Sequence, residues 1–470
     1  MKITHLGHES WAIEQSGLKV LIDPLLNDTF GTNPDYQFTI RPERKINPEI
    51  YAQVKFVILT SEYYQHFDLC SINKITKNVE IVVPSSFSNY AIEAIRKLGY
   101  KLNVVSIGAS YSFKKLELIF IPGDKETSFW DSRVCSLAIS IDDKTTNKDW
   151  IFIQSDTKVN SNLNRFLPGN WTLNAQSVFL TCNLKIWQTQ GYHALDNFID
   201  TLEIPINPSK YIDLISDIVP LNIASINASS YYFICGGGYD LESIKRPKPM
   251  IDKYTILKDL MYFSLNAHVF CPKPGDLYEI IDSTNYLVNS SPDIKHVSPN
   301  TREIKPFSMN SPFKNKKINI IDQDFFDSLI YLERLFLFSR LGRALIYVNE
   351  YLDKKCASER FCLQFESGKN SKQYTFCFSK NVFKEQKYCG DAAIALYPAG
   401  VRLSLNDYRC LTRGEITIAE ICHSSSMQWH TGGREDSPVG FLYSAFSEFL
   451  ASDLSKKKYA KILERLESIK

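Results

Sequence analysis

The sequence predicts a layered α/β protein of two or three domains. Three observations carry that prediction. The first half is a series of short β-branched and aromatic runs ended by turn residues, as in "LKVLID", "KFVILT", "VEIVVP" and "LELIFIP". Helical patterns interrupt these runs, most clearly "SSFSNYAIEAIRKLGY", with its serine start and glycine stop. Finally, 470 residues exceed what one compact core organises.

Taken in order, "MKITHL", "SWAIEQ" and "LKVLID" read as three consecutive strands. "KFVILT" ends at the loop "SEYYQHFDL", and "FIPGDKE" and "WIFIQSDT" are later strand ends bearing polar residues. From about 190 to 310, helical patterns flank the glycine cluster "CGGGYD" and the segment "HVFCPKPGDLYEI". A stretch rich in Ser, Asn, Pro and Lys then reads as a linker or excursion. An apolar-periodic helix from about Gln323 to Asp353 follows, and the last hundred residues carry strands, helices and a charged tail. The expected organisation is a first domain at 1–282, a linker at 283–322, and a long helix plus a small α+β domain at 323–470. The closing "KKKYAKILERLESIK" reads as a solvated amphipathic end helix.

Composition narrows the function classes. Net charge is +2 with acids and bases interspersed, so no basic stripe for nucleic acid is expected. No apolar run approaches the roughly 20 residues of a membrane span, and the N-terminus lacks the apolar block of a secretion signal. A cytoplasmic location is the expectation. The eleven cysteines are odd in number, scattered, and never spaced Cys-x-x-Cys, which argues against a zinc ribbon or a redox dithiol.

The order "ITHLGHESWAIE", then "KVLIDPLL", then "FVILTSEYYQHFDL", resembles the metallo-β-lactamase fold over roughly residues 1–280. The resemblance implies an αββα sandwich with its site at one edge of the two sheets, followed by the smaller α+β unit. "HVFCPKPGDLYE" and "RCLTRGEITIAEICHSSSMQWHTGGREDSP" resemble the catalytic half of cytidine-monophosphate-N-acetylneuraminate hydroxylase and its bacterial relatives. That family also carries a Rieske domain; its cluster needs two Cys-His pairs, and Cys422-His423 is the single adjacent pair here.

The superfamily's loop reads His-x-His-x-Asp-His, because adjacent metal ions need several converging imidazoles and a carboxylate. Laid onto this chain, Ser61, Tyr63 and Gln65 replace the first ligands, and His66 alone survives, with Asp68 just beyond. The next histidine aligns with Lys125 or Asp124, and the bridging carboxylate with Asp156. One imidazole and one aligned carboxylate fall short of the three ligands a catalytic ion usually needs. A Lys125–Asp156 ion pair beside His66 is therefore expected in place of metal, with His66, Asp68 and Asp156 as residual ligand candidates. Asp23 is expected to fix the turn beneath the site, His5 and His8 to be strand-end hydrogen-bonders, and Tyr63 and Tyr64 to fill space left by lost imidazoles.

Elsewhere, Gly236, Gly237, Gly238 and Tyr239 can cradle a phosphate through backbone N–H groups, or simply form a tight turn. His430 and Arg434 read as parts of an inter-helix turn.

Three functions compete. A non-catalytic subunit of an enzyme complex predicts metal-free protein with a large contact surface. A metal-independent enzyme would use His66 as acid/base, Lys125 as electrostatic stabiliser, Tyr63 as donor and Asp156 as orienter, on a small polar metabolite. A conventional zinc or iron hydrolase or oxygenase would draw ligands from positions such as His193, Asp196 or His268.

Overall fold

The computed structural model describes residues 1–33, 36–40, 43–123, 134–142, 144, 146–157, 159–181, 226, 231–235, 239–240, 268–282, 284–296, 323–338, 359–366, 371–377, 382–397, 399–413, 415–416, 427–430 and 456–468. Two sheets form the first unit. One has eight strands in the order Tyr286–Ser290, Asp276–Ile280, Lys2–Gly7, Ser10–Gln15, Leu18–Ile22, Phe56–Ile58, Glu80–Pro84 and Lys101–Val105. Its last four strands run parallel and the rest pair antiparallel. The other has seven strands, from Ser110–Phe113 through Leu116–Pro122, Cys135–Ile141, Ile151–Ile153, Ser177–Thr181 and Tyr231–Cys235 to His268–Phe270.

Period-two alternation sorts the side chains of the first sheet between two cores. Ile3, Trp11, Ile13, Val20, Ile22, Phe56 and Ile58 face the second sheet, where they meet Leu118, Phe120, Leu137, Phe179 and Phe233. Ala12, Leu21, Val57, Ile81 and Val83 point the other way, against the helices Leu69–Ile72 and Asn89–Lys97. A third core covers the far side of the second sheet, with Phe152, Val178 and Ile234 beneath Leu163 and Trp171. Sheets buried on both faces explain why the strands read as nearly continuous apolar runs.

Two features at the top of this sandwich matter for the site. Gly7 has φ 117°, and a Cβ there would lie 2.8 Å from Cγ2 of Ile40 and 3.3 Å from Nε of Arg44. Only glycine serves at that turn. Arg44 is itself fully buried and donates to the carbonyls of Leu6, Asn27 and Leu25 at 2.7, 2.8 and 2.6 Å. It clips the chain after Asp23 to the first strand.

The stretch from 283 is not wholly a linker. Tyr286–Ser290 pairs with Asp276–Ile280 at the sheet edge, and Ile294–His296 pairs with Arg44–Ile46. Hairpin closure at Asp282, whose carboxylate accepts from Thr284 and Asn285, makes this polar stretch a strand connection.

The smaller unit is a five-stranded sheet in the order Val382–Gln386, Lys372–Cys377, Glu359–Glu366, Ala399–Ser404 and Met427–His430. The helix Gln323–Phe338 packs on it through Phe325, 5.2 Å from Phe365 between ring centres. The remainder of the expected helix, to Asp353, lies outside the described residues. Among the described residues, no helix is long and apolar enough to cross a membrane.

The end helix, 456–468, is not merely solvated. Tyr459, Ile462 and Leu466, spaced three and four apart, are buried in the outer core of the first unit. The ring of Tyr459 lies 5.9 Å from Phe67, and Arg465 donates to Cys70. Lys461 pairs with Glu415 at 2.6 Å, so the same helix also touches the smaller unit. A charged tail with one apolar stripe looks solvated in sequence; the stripe's partner is some 390 residues away.

Candidate metal centre

Four strand ends converge where the parallel strands finish, the usual place for a site in such sheets. Asp23 follows Leu18–Ile22, the loop 59–68 follows Phe56–Ile58, Asp156 lies just past Ile151–Ile153, and Thr181 closes Ser177–Thr181. Glu9 enters from the turn between the first two strands, where the register shifts between His5 and Gly7. His8, Asp23 and Ser155 have φ of 54°, 45° and 55° at three of these corners. Backbone strain of this kind gathers where side chains must be aimed.

His66 is at the centre and fully buried. Its Nδ1 lies 2.9 Å from Oδ2 of Asp23. Asp23 is held in turn by the N–H of Thr60 at 2.7 Å and the Thr60 hydroxyl at 2.5 Å. Asp23 thus fixes the turn, as expected from sequence, and also orients the imidazole.

The other ring nitrogen, Nε2, faces two carboxylates: Oδ2 of Asp156 at 3.1 Å and Oε2 of Glu9 at 3.8 Å. Gln65 donates its side-chain amide to the same oxygen of Asp156, and Thr181 donates its hydroxyl to Oε1 of Glu9. None of Glu9, His66 and Asp156 is more than 3% exposed.

Burial and crowding set the protonation. Burial, with the Asp156 carboxylate next, pushes Glu9 up to about 8. Burial alone would push His66 down, but Asp23 and Asp156 outweigh it and raise the imidazole well above its ordinary value. Without a cation, the cluster therefore keeps protons on Glu9 and His66 near neutral pH.

The donor atoms of Glu9, His66 and Asp156 lie within 4.8 Å of one another. Atoms sharing one zinc-sized ion at about 2.0–2.2 Å each sit no more than about twice that distance apart. The two pairs about Nε2 satisfy this, one imidazole and two carboxylates suit zinc or iron(II), and the Asp23–His66 bond is the support metal-bound histidines usually have. Glu9, His66 and Asp156 are a candidate donor set for one divalent ion.

The remaining candidates either make other contacts or lie outside the described residues. Asp68 caps the helix Leu69–Ile72, accepting from the amide and hydroxyl of Ser71 at 2.9 and 2.6 Å, and stands apart from the cluster. Tyr63 contributes backbone: its carbonyl accepts the N–H groups of His66 and Phe67, each at 2.8 Å. Tyr64 stacks on Phe38 and Phe30 at 4.8 and 5.8 Å. His5 reaches the carbonyl of His8 at 2.9 Å. His268 is exposed on the edge strand of the second sheet. Tyr239 pairs with Ile40 in a small sheet, and His430 pairs with Gly400. Asp124, Lys125, His193, Asp196, Gly236, Gly237, Gly238 and Arg434 lie outside the described residues. Glu9 carries no distinctive signal in the sequence, being one acid in the polar turn between the first two strands.

The two facing sheets, with helices over the outer side of the first, make the first unit a metallo-β-lactamase-fold α/β sandwich, with an additional α/β sheet in the C-terminal part. In agreement, residues 2–146 match the family model described as a β-lactamase superfamily domain. Similar solved structures include a possible metal-dependent hydrolase from Veillonella parvula, 16% identical, covering 59% of this chain and 98% of that one with a TM-score of 0.41. An isothiocyanate hydrolase from Delia radicum gut bacteria is 17% identical, covering 60% of this chain and 99% of that one with a TM-score of 0.38. CmlA, a diiron β-hydroxylase from Streptomyces venezuelae, is 12% identical, covering 57% of this chain and 52% of that one with a TM-score of 0.36. No curated protein matches the chain in sequence.

Proposed function

We propose that the first unit is a hydrolase-type site reduced from two cations to one, held by Glu9, His66 and Asp156, and acting on a small polar metabolite. The observation that supports this best is the aim of His66: Asp23 takes Nδ1, which leaves Nε2 directed at two carboxylates. Sequence counting stops at one imidazole and one carboxylate; Glu9 raises the set to the three that a catalytic ion needs. A bound zinc or iron(II) ion would supply Lewis acidity and a water acidified for attack.

The chain's own residues do the rest. Asp23 holds the proton on Nδ1 so that the lone pair of Nε2 points into the cluster. The amide of Gln65 keeps one oxygen of Asp156 in place. Burial of all three donors excludes bulk water and strengthens each interaction. The resemblance of the segments around Cys271 and Cys422 to sialate hydroxylase relatives favours a nucleotide-sugar or biosynthetic intermediate as the substrate class.

One observation favours a second reading. Glu9 carries its proton to about pH 8, so the cluster is electrostatically tolerable without any cation. A metal-free acid/base enzyme centred on His66, with Asp156 as orienter, follows from that. Elemental analysis of freshly purified protein separates the two. About one zinc or iron per chain, lost in His66→Ala and Glu9→Gln, supports the single-cation site. Metal-free protein whose turnover still requires His66 supports the second, and metal-free protein without turnover returns the non-catalytic subunit.

A further inference from the structure

Thr181 is the last residue of Ser177–Thr181, a strand of the sheet opposite Glu9, and is buried. Its hydroxyl donates to Oε1 of Glu9 across 172 residues of sequence. Glu9 sits on a turn, after a residue with positive φ and a register shift, so its backbone alone does not aim its carboxylate. A carboxylate has two oxygens. With Thr181 on Oε1, it is Oε2 that faces Nε2 of His66.

Thr181 is itself held. Its N–H donates to the side-chain oxygen of Gln154 at 3.3 Å, and the side-chain amide of Gln154 donates to the carbonyl of Thr157 at 3.1 Å. The Gln154 carbonyl accepts the Ser136 hydroxyl at 2.9 Å, and its N–H donates to the Phe179 carbonyl at 2.9 Å. Gln154 and Thr157 bracket Asp156. One buried amide side chain therefore ties the support of Glu9 to the turn that carries Asp156.

We infer that Thr181 is a positioning residue: its hydroxyl, carried on backbone that Gln154 holds through the Thr181 N–H, sets which oxygen of Glu9 is offered to the cation and couples the Glu9 and Asp156 positions. This rests on the single-cation reading proposed above and names the residue that makes Glu9 a usable third donor. Hydrogen-bonded supports of metal ligands typically contribute about 10–100-fold in affinity. The side-chain volume of valine matches threonine, so Thr181→Val removes the donor with little change in packing, while Thr181→Ser keeps it.

The test is a Co²⁺ titration of the full chain followed by visible absorption, with melting temperature as the folding control. The wild type and Thr181→Ser should bind with matching spectra, Thr181→Val should bind at least about tenfold more weakly with an altered spectrum, and Glu9→Gln, which removes the donor itself, should lose most of the binding. If Thr181→Val, folded, binds as the wild type does, the positioning role is overturned and the cation site stands. If the wild type does not bind, or His66→Ala binds equally well, the single-cation reading falls and this inference with it.

Discussion

Nδ1 of His66 lies 2.9 Å from Oδ2 of Asp23, and the backbone N–H of Thr60 holds the other oxygen of that carboxylate at 2.7 Å. The imidazole therefore has one tautomer in the single-cation site, with its proton on Nδ1. Asp23→Asn removes the charge that favours this state while keeping the shape. Cation affinity should fall about 10–100-fold in Asp23→Asn, measured by competition with a chromophoric chelator. Unchanged affinity would show that the orientation of His66 does not depend on Asp23.

Cation binding should depend on pH through Glu9. Burial and the Asp156 carboxylate hold its proton to about pH 8, and a ligand carboxylate must lose that proton. Apparent affinity should rise as pH is raised from 6 through about 8 as Glu9 loses its proton, and keep rising above that as His66 loses its own. Glu9→Gln should remove the lower part of that rise along with most of the binding. Proton release on binding, read by calorimetry in buffers of different ionisation enthalpy, checks the same point.

Without metal, the pH dependence of stability should have the opposite slope. Folded Glu9 keeps its proton to about 8 and unfolded Glu9 loses it near about 4.3, so the folded state binds more protons in between. Stability contributed this way is complete below the lower value and is lost as pH rises through the upper one. His66, raised above its ordinary value, acts with the same sign at higher pH. Melting temperature of chelator-treated protein should fall from pH 5 to pH 9, and Glu9→Gln should flatten much of that fall. A wild-type profile that rises across this window would contradict the buried protons.

The end helix should stabilise the first unit. Tyr459 is buried beside Phe67 in the core beneath the His66 loop. Tyr459→Ala should cost about 3 kcal/mol by denaturant unfolding, with hydrogen exchange accelerated first around residues 67–75. Exchange confined to residues after 456 would show that the helix is only appended.

In the smaller sheet, Gly400 is fixed by contact rather than by φ. A Cβ there would meet Cγ1 of Ile394 at 2.6 Å and the carbonyl of Cys362 at 2.9 Å. Because one obstacle is backbone, Gly400→Ala should destabilise by about 1–3 kcal/mol. A melting temperature equal to that of the wild type would show that the strand Ala399–Ser404 can shift at little cost.

What the sequence determined by itself is local. Apolar period and turn chemistry define the strands, and the resemblance to the metallo-β-lactamase fold picks out His66, Asp156 and Asp23 at their ends without any coordinates. The strand ends had to carry the site, since parallel strands finish together at one edge. The tertiary structure alone decided the rest. Glu9 joins His66 across 57 residues of chain and is aimed by Thr181, while the stripe of the end helix finds its partner on the first sheet's helices. Such pairings depend on how two sheets stack and where distant segments land. Sequence spacing carries no record of either, so an acid at a turn and an apolar stripe in a charged tail look ordinary until the chain is folded.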